Sequence, residues 1–158
     1  MAHSHDTDRD LSATLDAALT AVRDGELERA RALCDAVEAR DAGHPMAAYI
    51  RGHAAARAGH PADAAEHFRR ALARNPDFVE AHTDLGNVLW QQQQPAEAAA
   101  QYRAALALRP DFAEAHSNLG VALTDLGHYD AAIASYREAL ALCPDHAAAH
   151  YNLCGLLE

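Results

Sequence analysis

Residues 110–123 read PDFAEAHSNLGVAL, and nearly the same phrase occurs 34 residues earlier, at 76–89 (PDFVEAHTDLGNVL), and 34 residues later, at 144–157 (PDHAAAHYNLCGLL). A fixed period of this length indicates stacked copies of one supersecondary unit. A stack of helical units forms a long concave surface, which suits binding better than catalysis. Repetition therefore predicts both the fold and the class of function.

Each copy has the pattern of two helices. In the copy that begins at residue 79, His82, Leu85, Val88 and Leu89 fall on one helical face. The second helix of that copy has its own apolar face, made by Ala98, Tyr102, Ala105, Leu106 and Leu108. Neither helix can bury its face alone, so adjacent copies complete the core.

The turn between the two helices of a copy is expected to be left-handed. Gly25, Gly59 and Gly127 occupy the same repeat position in this turn. In the copy that begins at residue 79, Gln93 occupies that position. A non-glycine residue costs roughly 1–2 kcal/mol in this conformation. The sequence therefore predicts a looser or differently shaped turn at Gln93.

Acidic pairs precede the first helix of the two central copies. Asp77 with Glu80, and Asp111 with Glu114, have the spacing of a capping box. We therefore expect each pair to cap its helix.

The repeated positions match a known consensus. The two central copies carry it at His82, Leu85, Gly86, Leu89, Ala98, Tyr102 and Pro110, and at His116, Leu119, Gly120, Leu123, Ala132, Tyr136 and Pro144. On these residues the chain resembles the tetratricopeptide repeat (TPR) family. The resemblance implies an all-α, right-handed solenoid of antiparallel helix pairs, a TPR superhelix of about four and a half repeats. The expected repeats are 11–44, 45–78, 79–112, 113–146 and a partial 147–158, after a flexible N-terminal tail at 1–10.

In that family the first helix of each repeat lines the inner groove, where a peptide binds. Carried over by repeat position, the expected lining is Tyr49, Ile50, His53, Arg57, Thr83, Asp84, Asn87, Trp90, Gln91, Ser117, Asn118, Val121, Thr124, Asp125, Tyr151 and Asn152.

Side-chain amides in this lining suit a peptide backbone. Asn118 and Asn152 share one repeat position, and an amide can bond both the N–H and the C=O of an extended chain. The alternative is that they are ordinary solvated helix residues. The family's clamp for terminal carboxylates is disfavoured, because Thr83, Ala148 and Asn152 stand where it needs cations.

Two functions follow from the resemblance. The first is a non-catalytic module that holds a protein segment, as a scaffold or for substrate recruitment; many bacterial scaffolds share these phrases. The alternative follows from AEAHSNLG after PDF, which is similar to the units of O-linked N-acetylglucosamine transferases. There the chain would be the recruiting arm of a larger glycosyltransferase-type enzyme, with the chemistry outside these residues.

Composition limits the partners. The formal charge of −10 disfavours nucleic acid and anionic membrane surfaces, which need clustered cations. No stretch is apolar enough to span a membrane or to serve as a secretory signal. Three unpatterned cysteines, Cys34, Cys143 and Cys154, fit reduced thiols in the cytoplasm.

No catalytic motif or cofactor site is expected. The segment 143–154 holds two cysteines and two histidines, but His146 and Cys154 would lie about 12 Å apart on one helix, too far to share a metal ion. Only His146 with His150 has chelating spacing. A histidine also recurs at one position of each copy from His82 on, where a packing role is predicted.

The last copy is broken midway. Leu153, Leu156 and Leu157 would leave apolar area uncovered there, while solenoids need a polar cap at each end. A fragment of a longer protein is the favoured interpretation, and self-association through this exposed end is expected.

Overall fold

The computed structural model of the chain describes residues 2–157, with side chains from residue 10 on. Within that range the structure is all α-helical and contains no strand. The helices are α1 (Ala2–Asp24), α2 (Leu27–Glu38), α3 (Pro45–Arg57), α4 (Pro61–Arg74), α5 (Val79–Gln91), α6 (Pro95–Leu108), α7 (Ala113–Asp125), α8 (Tyr129–Leu142) and α9 (Ala147–Leu157). The predicted all-α repeat fold is confirmed.

Helices α3, α5, α7 and α9 begin at the first residues of the expected repeats 45–78, 79–112, 113–146 and 147–158. Helix α1 starts at Ala2, so most of the segment 1–10 lies in its first turns. The flexibility of that segment stays a prediction. No helix in the described part of the chain is both long and apolar enough to cross a bilayer.

The chain divides into two compact units, one up to Pro76 with α1–α4 and one from Asp77 on with α5–α9. The first unit has a core of small and branched side chains from α1, α2 and α3: Leu15, Ala18, Ala21, Val22, Ala30, Cys34, Val37, Ala47 and Ile50. Arg51 stands where the repeat pattern expects Leu, and its guanidinium pairs with Asp35 and Glu38, so it joins α3 to α2.

A glycine facing an aromatic ring brings the helices close together in three of the helix pairs, α3–α4, α5–α6 and α7–α8. A Cβ added at Gly86 would lie 2.6 Å from the Tyr102 ring, and one added at Gly120 would lie 2.5 Å from the Tyr136 ring. In the first unit Gly52 faces Phe68 in the same way, also at 2.5 Å. No residue with a Cβ fits these positions without moving the ring.

The turn at Gln93 is left-handed, with φ of 60°. The N–H of Gln94 donates to Leu89 O at 3.0 Å, as the N–H of His128 does to Leu123 O at 2.9 Å in the next copy. The prediction of a looser turn was wrong. The hydrogen bonds that close the helix end fix the backbone, and Gln93 takes the strain.

Exchanging the two turn residues should move stability in opposite directions. Gln93→Gly should raise the free energy of unfolding by about 0.5–1 kcal/mol, because relief of left-handed strain exceeds the added entropy of the unfolded chain. Gly127→Gln should lower it by a similar amount, since φ is 74° and an added Cβ there meets no atom within 4 Å. Urea denaturation of both variants measures the two changes in the free energy of unfolding. If both changes had the same sign, left-handed strain at this turn would not be their cause.

The two aspartates of the predicted capping boxes do not occupy the N-cap position that a capping box requires. The N-caps of α5 and α7 are Phe78 and Phe112, without a side-chain cap bond, so the two aspartates lie one residue too early. Glu80 instead accepts a hydrogen bond from Arg109 at 2.7 Å, and that guanidinium lies over the Phe112 ring. The prediction for Leu108 was also wrong, because this side chain ends α6 and is 41% exposed.

The repeated histidine binds the preceding loop. The Nε2 of His116 donates to Pro110 O at 2.9 Å, and that of His150 to Pro144 O at 2.7 Å. His82 and His116 are half-buried, in keeping with a packing role, but His150 is exposed and the packing prediction is wrong for it. In the last two copies the histidine therefore ties the proline turn to the helix that follows.

Candidate functional site

A small cavity of about 250 Å³ opens between α5, α6 and α7. We call it the Trp90 pocket, and its walls are Asn87, Trp90, Gln91, Tyr102, Asn118 and Val121. Every wall residue from α5 and α7 belongs to the lining predicted from the sequence.

A hydrogen-bond network orders the Trp90 pocket. The Oδ1 of Asn87 accepts from the Tyr102 hydroxyl at 2.8 Å and from the Asn118 Nδ2 at 3.0 Å. Asn118 retains its own amide oxygen and a second N–H. The pocket thus presents an oriented acceptor and donor beside the exposed indole of Trp90.

A second cavity of about 440 Å³ lies between α7, α8 and α9. We call it the Tyr151 pocket, and its walls are Val121, Thr124, Asp125, Tyr136, Tyr151, Asn152, Cys154, Gly155 and Leu156. All six wall positions of the Trp90 pocket recur in it 34 residues later: Val121, Thr124, Asp125, Tyr136, Asn152 and Gly155. The two pockets are therefore one feature of the repeat, formed twice.

The floors of both pockets are buried phenols. Burial is the main cause that raises the pKa of Tyr102 and of Tyr136, and the nearby carboxylates Asp84 and Asp125 add to it. Both phenols stay neutral at physiological pH and can donate a hydrogen bond. The Thr124 hydroxyl lies 3.4 Å from that of Tyr136 and donates to Gly120 O at 2.9 Å.

Trp90 and Asp125 connect the two pockets. The indole Nε1 of Trp90 donates to Asp125 Oδ2 at 2.6 Å, from α5 to the end of α7. Together with Val121, which lines both pockets, this bond makes a continuous groove along α5, α7 and α9.

Three residues expected in the lining lie in the interior instead. Thr83 is 4% exposed, Ser117 is 2% exposed and Ile50 is fully buried, so these predictions were wrong. The hydroxyl of Thr83 donates to Val79 O, one turn back in the same helix, so it is satisfied without solvent. A helical position counted from the sequence does not predict this burial.

The remaining expected residues are distributed over both units. Tyr49 and His53 lie in the first unit, where their rings pack edge to face at 4.6 Å and both contact Phe68. Arg57 is exposed at the end of α3, and Asp84 is half-buried in α5. Of the expected residues, the two pockets hold Asn87, Trp90, Gln91, Asn118, Val121, Thr124, Asp125, Tyr151 and Asn152.

The pocket floors were not predicted from the sequence. Tyr102 was assigned only to the apolar face of its helix and Tyr136 only to the repeat consensus, and Cys154, Gly155 and Leu156 were not assigned to the groove. A signal was present for the tyrosines: the equivalent residue of the first unit is Phe68, and a buried hydroxyl needs a partner.

A separate cavity of about 530 Å³ lies in the first unit, between α2, α3 and α4. Burial raises the pKa of its Cys34 thiol from 9.0 to about 11, partly offset by the Arg51 guanidinium. Burial also lowers the pKa of His67 at the same cavity. Within the residues the structure describes, no three histidine, cysteine or acidic side chains are grouped to hold a metal ion.

The Cys34 thiol should make stability fall at alkaline pH. Because the folded pKa is raised, its contribution is constant below pH 9 and is lost as pH rises towards 11, at about 1.4 kcal/mol per pH unit. Urea denaturation of the wild type and of Cys34→Ala between pH 8 and about 10.5 isolates this slope from the tyrosines. Parallel curves would show that the thiol titrates alike in the folded and unfolded states.

Comparisons with known proteins agree with the repeat fold. A family model described as tetratricopeptide repeat matches residues 15–77, 49–99, 83–147 and 124–154. The crystal structure of MamA is similar with a TM-score of 0.80 at 21% identity, over 87% of this chain and 80% of that chain. Another MamA structure has a TM-score of 0.76 at 28% identity, over 94% and 81%.

The structure of YrrB, described as a TPR protein with an unusual peptide-binding site, has a TM-score of 0.79 at 26% identity, over 90% of this chain and 74% of that chain. Among curated proteins, no sequence matches this chain.

Proposed function

Because the chain belongs to the tetratricopeptide repeat family, we propose that it is a non-catalytic module that holds an extended segment of another protein in the groove of residues 77–158. The observation that carries the proposal is the recurrence of one pocket at two repeat-equivalent places along α5, α7 and α9. A periodic groove suits a periodic ligand, and an extended chain is the simplest one.

The spacing of the groove supports an extended ligand. Helices that pack side by side have axes roughly 8–10 Å apart, and an extended polyproline II chain has three residues per turn and rises about 3.1 Å per residue. Side chains three residues apart therefore lie on one face of such a ligand, roughly 9 Å apart, and can reach successive pockets. Each pocket has one of the two asparagines in its wall, Asn118 or Asn152, whose amide can bond the ligand backbone.

Similarity to YrrB gives further support, since that TPR protein is described by its peptide-binding site. Two finer hypotheses remain predictions: that the chain is the recruiting arm of a larger glycosyltransferase-type enzyme, and that copies self-associate through α9. Leu157 of α9 is 61% exposed, in keeping with the second hypothesis.

The experiment selects random twelve-residue peptides on the full chain by phage display and measures the dissociation constant of each winner. The double variant Asn118→Ala, Asn152→Ala should weaken binding by about tenfold, the effect of losing hydrogen bonds in both pockets. Circular dichroism verifies that the variant folds.

The matched control changes another pair 34 residues apart, Leu108→Ala with Leu142→Ala. Both side chains are exposed, at 41% and 42%, on the second helices α6 and α8, and neither lines a groove pocket. Binding should change less than about twofold. If the leucine variant weakens peptide binding and the asparagine variant does not, the docking surface lies elsewhere and the proposal fails.

A further inference from the structure

The unit that carries the groove is strongly acidic. Residues 77–158 contain eleven acidic and three basic residues, a net of −8, out of −10 for the whole chain. Of the three arginines, Arg109 is paired with Glu80 and packs on Phe112, while Arg103 and Arg137 project from the second helices α6 and α8. No basic side chain is among the described walls of either pocket.

Asp125 places one of these charges inside the groove. It lines the Tyr151 pocket, is exposed, and is oriented by the 2.6 Å bond from the Trp90 indole. A carboxylate has about four lone-pair sites, so this bond leaves most of its acceptor capacity for a ligand. The carboxylate is therefore fixed in direction but still able to accept hydrogen bonds.

Two exposed aromatic side chains neighbour Asp125: Trp90 bonds it through the indole N–H edge, and Tyr151 lines the same pocket. Trp90 is 39% exposed and Tyr151 is 81% exposed, which is unusual for side chains of this size. A guanidinium or ammonium group is attracted to the face of an aromatic ring. A carboxylate beside the ring adds its own attraction for the cation. Asp84 adds negative charge near the floor of the Trp90 pocket, as its effect on the pKa of Tyr102 indicates.

From this arrangement we infer that the groove recognises a basic protein segment, whose arginine side chain enters the Tyr151 pocket against Asp125 and the Tyr151 ring, with Trp90 at the edge of the pocket. The inference rests on the proposed function and adds the chemistry of the partner. Arginine is favoured over lysine, because its planar guanidinium can stack on an aromatic ring and bond a carboxylate at once.

The test uses three fluorescein-labelled peptides of one design, in which Gly-Ser-X is repeated four times and X is arginine, citrulline or glutamate. Citrulline keeps the shape of arginine without its charge. By fluorescence anisotropy on the full chain, the arginine peptide should bind about tenfold more tightly than the citrulline peptide, and the glutamate peptide should not bind.

Two variants that each remove one negative charge distinguish binding at Asp125 from attraction by the overall negative charge of the chain. Asp125→Asn keeps an acceptor for Trp90 and should weaken the arginine peptide about fivefold, with no effect on the citrulline peptide. Asp130→Asn removes an exposed charge from the first turn of α8, outside both pockets, and should change binding less than about twofold.

The inference is overturned if the arginine and citrulline peptides bind alike, or if the two aspartate variants have equal effects. When selected peptides without basic residues still depend on Asn118 and Asn152, the groove function stands and only the basic partner is wrong. When no peptide responds to the asparagine variant, both proposals fail.

Discussion

Gly120→Ala should lower the free energy of unfolding by about 2–3 kcal/mol, because overpacking a closed helix contact has costs of this size. The new methyl carbon would lie 2.5 Å from Tyr136 Cε1 and 2.7 Å from Cδ1, inside van der Waals contact. Tyr136 is 1% exposed and cannot move aside, so α7 and α8 have to separate. Urea denaturation followed by circular dichroism measures the loss.

The chain offers a matched control in Gly155→Ala. This glycine also lies in a helix, but an added Cβ meets no atom within 4 Å, so the change should be neutral or stabilising by up to about 1 kcal/mol. Equal losses at the two positions would show that the cost is not the contact with Tyr136.

A double-mutant cycle identifies the ring as the partner. At the same repeat positions the first unit has Ala18 and Cys34, both fully buried, so a larger residue on one helix is matched by a smaller one on the other. Gly120→Ala combined with Tyr136→Cys copies this pair. The loss should be smaller than the sum of the single losses by at least about 1 kcal/mol.

Phe68→Ala should cost the first unit about 3–5 kcal/mol, the usual range for removing a buried aromatic ring. The ring is 1% exposed, covers Gly52 and contacts the rings of Tyr49 and His53. Its removal leaves a cavity between α3 and α4 that these neighbours fill only in part. Urea denaturation with circular dichroism again measures the change.

Tyr129→Ala is the control for this substitution. Tyr129 is also aromatic but is 55% exposed at the start of α8, and its loss should cost no more than about 0.5 kcal/mol. A loss below about 1 kcal/mol for Phe68→Ala would mean that the ring does not hold α3 to α4.

Most of the fold followed from the sequence because its determinants are periodic. Gly86 and Gly120 with their facing tyrosines recur every 34 residues, and such spacing is visible without coordinates. The errors occurred where a specific bond outweighs the preference of a residue type for a conformation or a capping role. Gln93 adopts the glycine conformation because the hydrogen bonds at the helix end require it. Glu80 pairs with Arg109 across a loop instead of capping its own helix.

The groove was predictable in outline, since helix position places Asn118 and Asn152 on one face. The burial of residues at the edge of that face was not predictable from helix position. Thr83 and Ser117 were expected on the same face but are buried, because the packing around them and not their position along the helix sets their exposure. The bond from Trp90 to Asp125 joins side chains 35 residues apart, one more than the repeat, so no repeat alignment predicts it.

The most direct test of the groove is an NMR titration of the full chain with a display-selected peptide. The chain has one tryptophan, so its indole N–H gives a single signal, which lies at the junction of the two pockets. A peptide bound in the groove should shift this signal together with the side-chain amides of Asn118 and Asn152, with one dissociation constant. Shifts confined to α6 and α8, or to the cavity of the first unit, would contradict it.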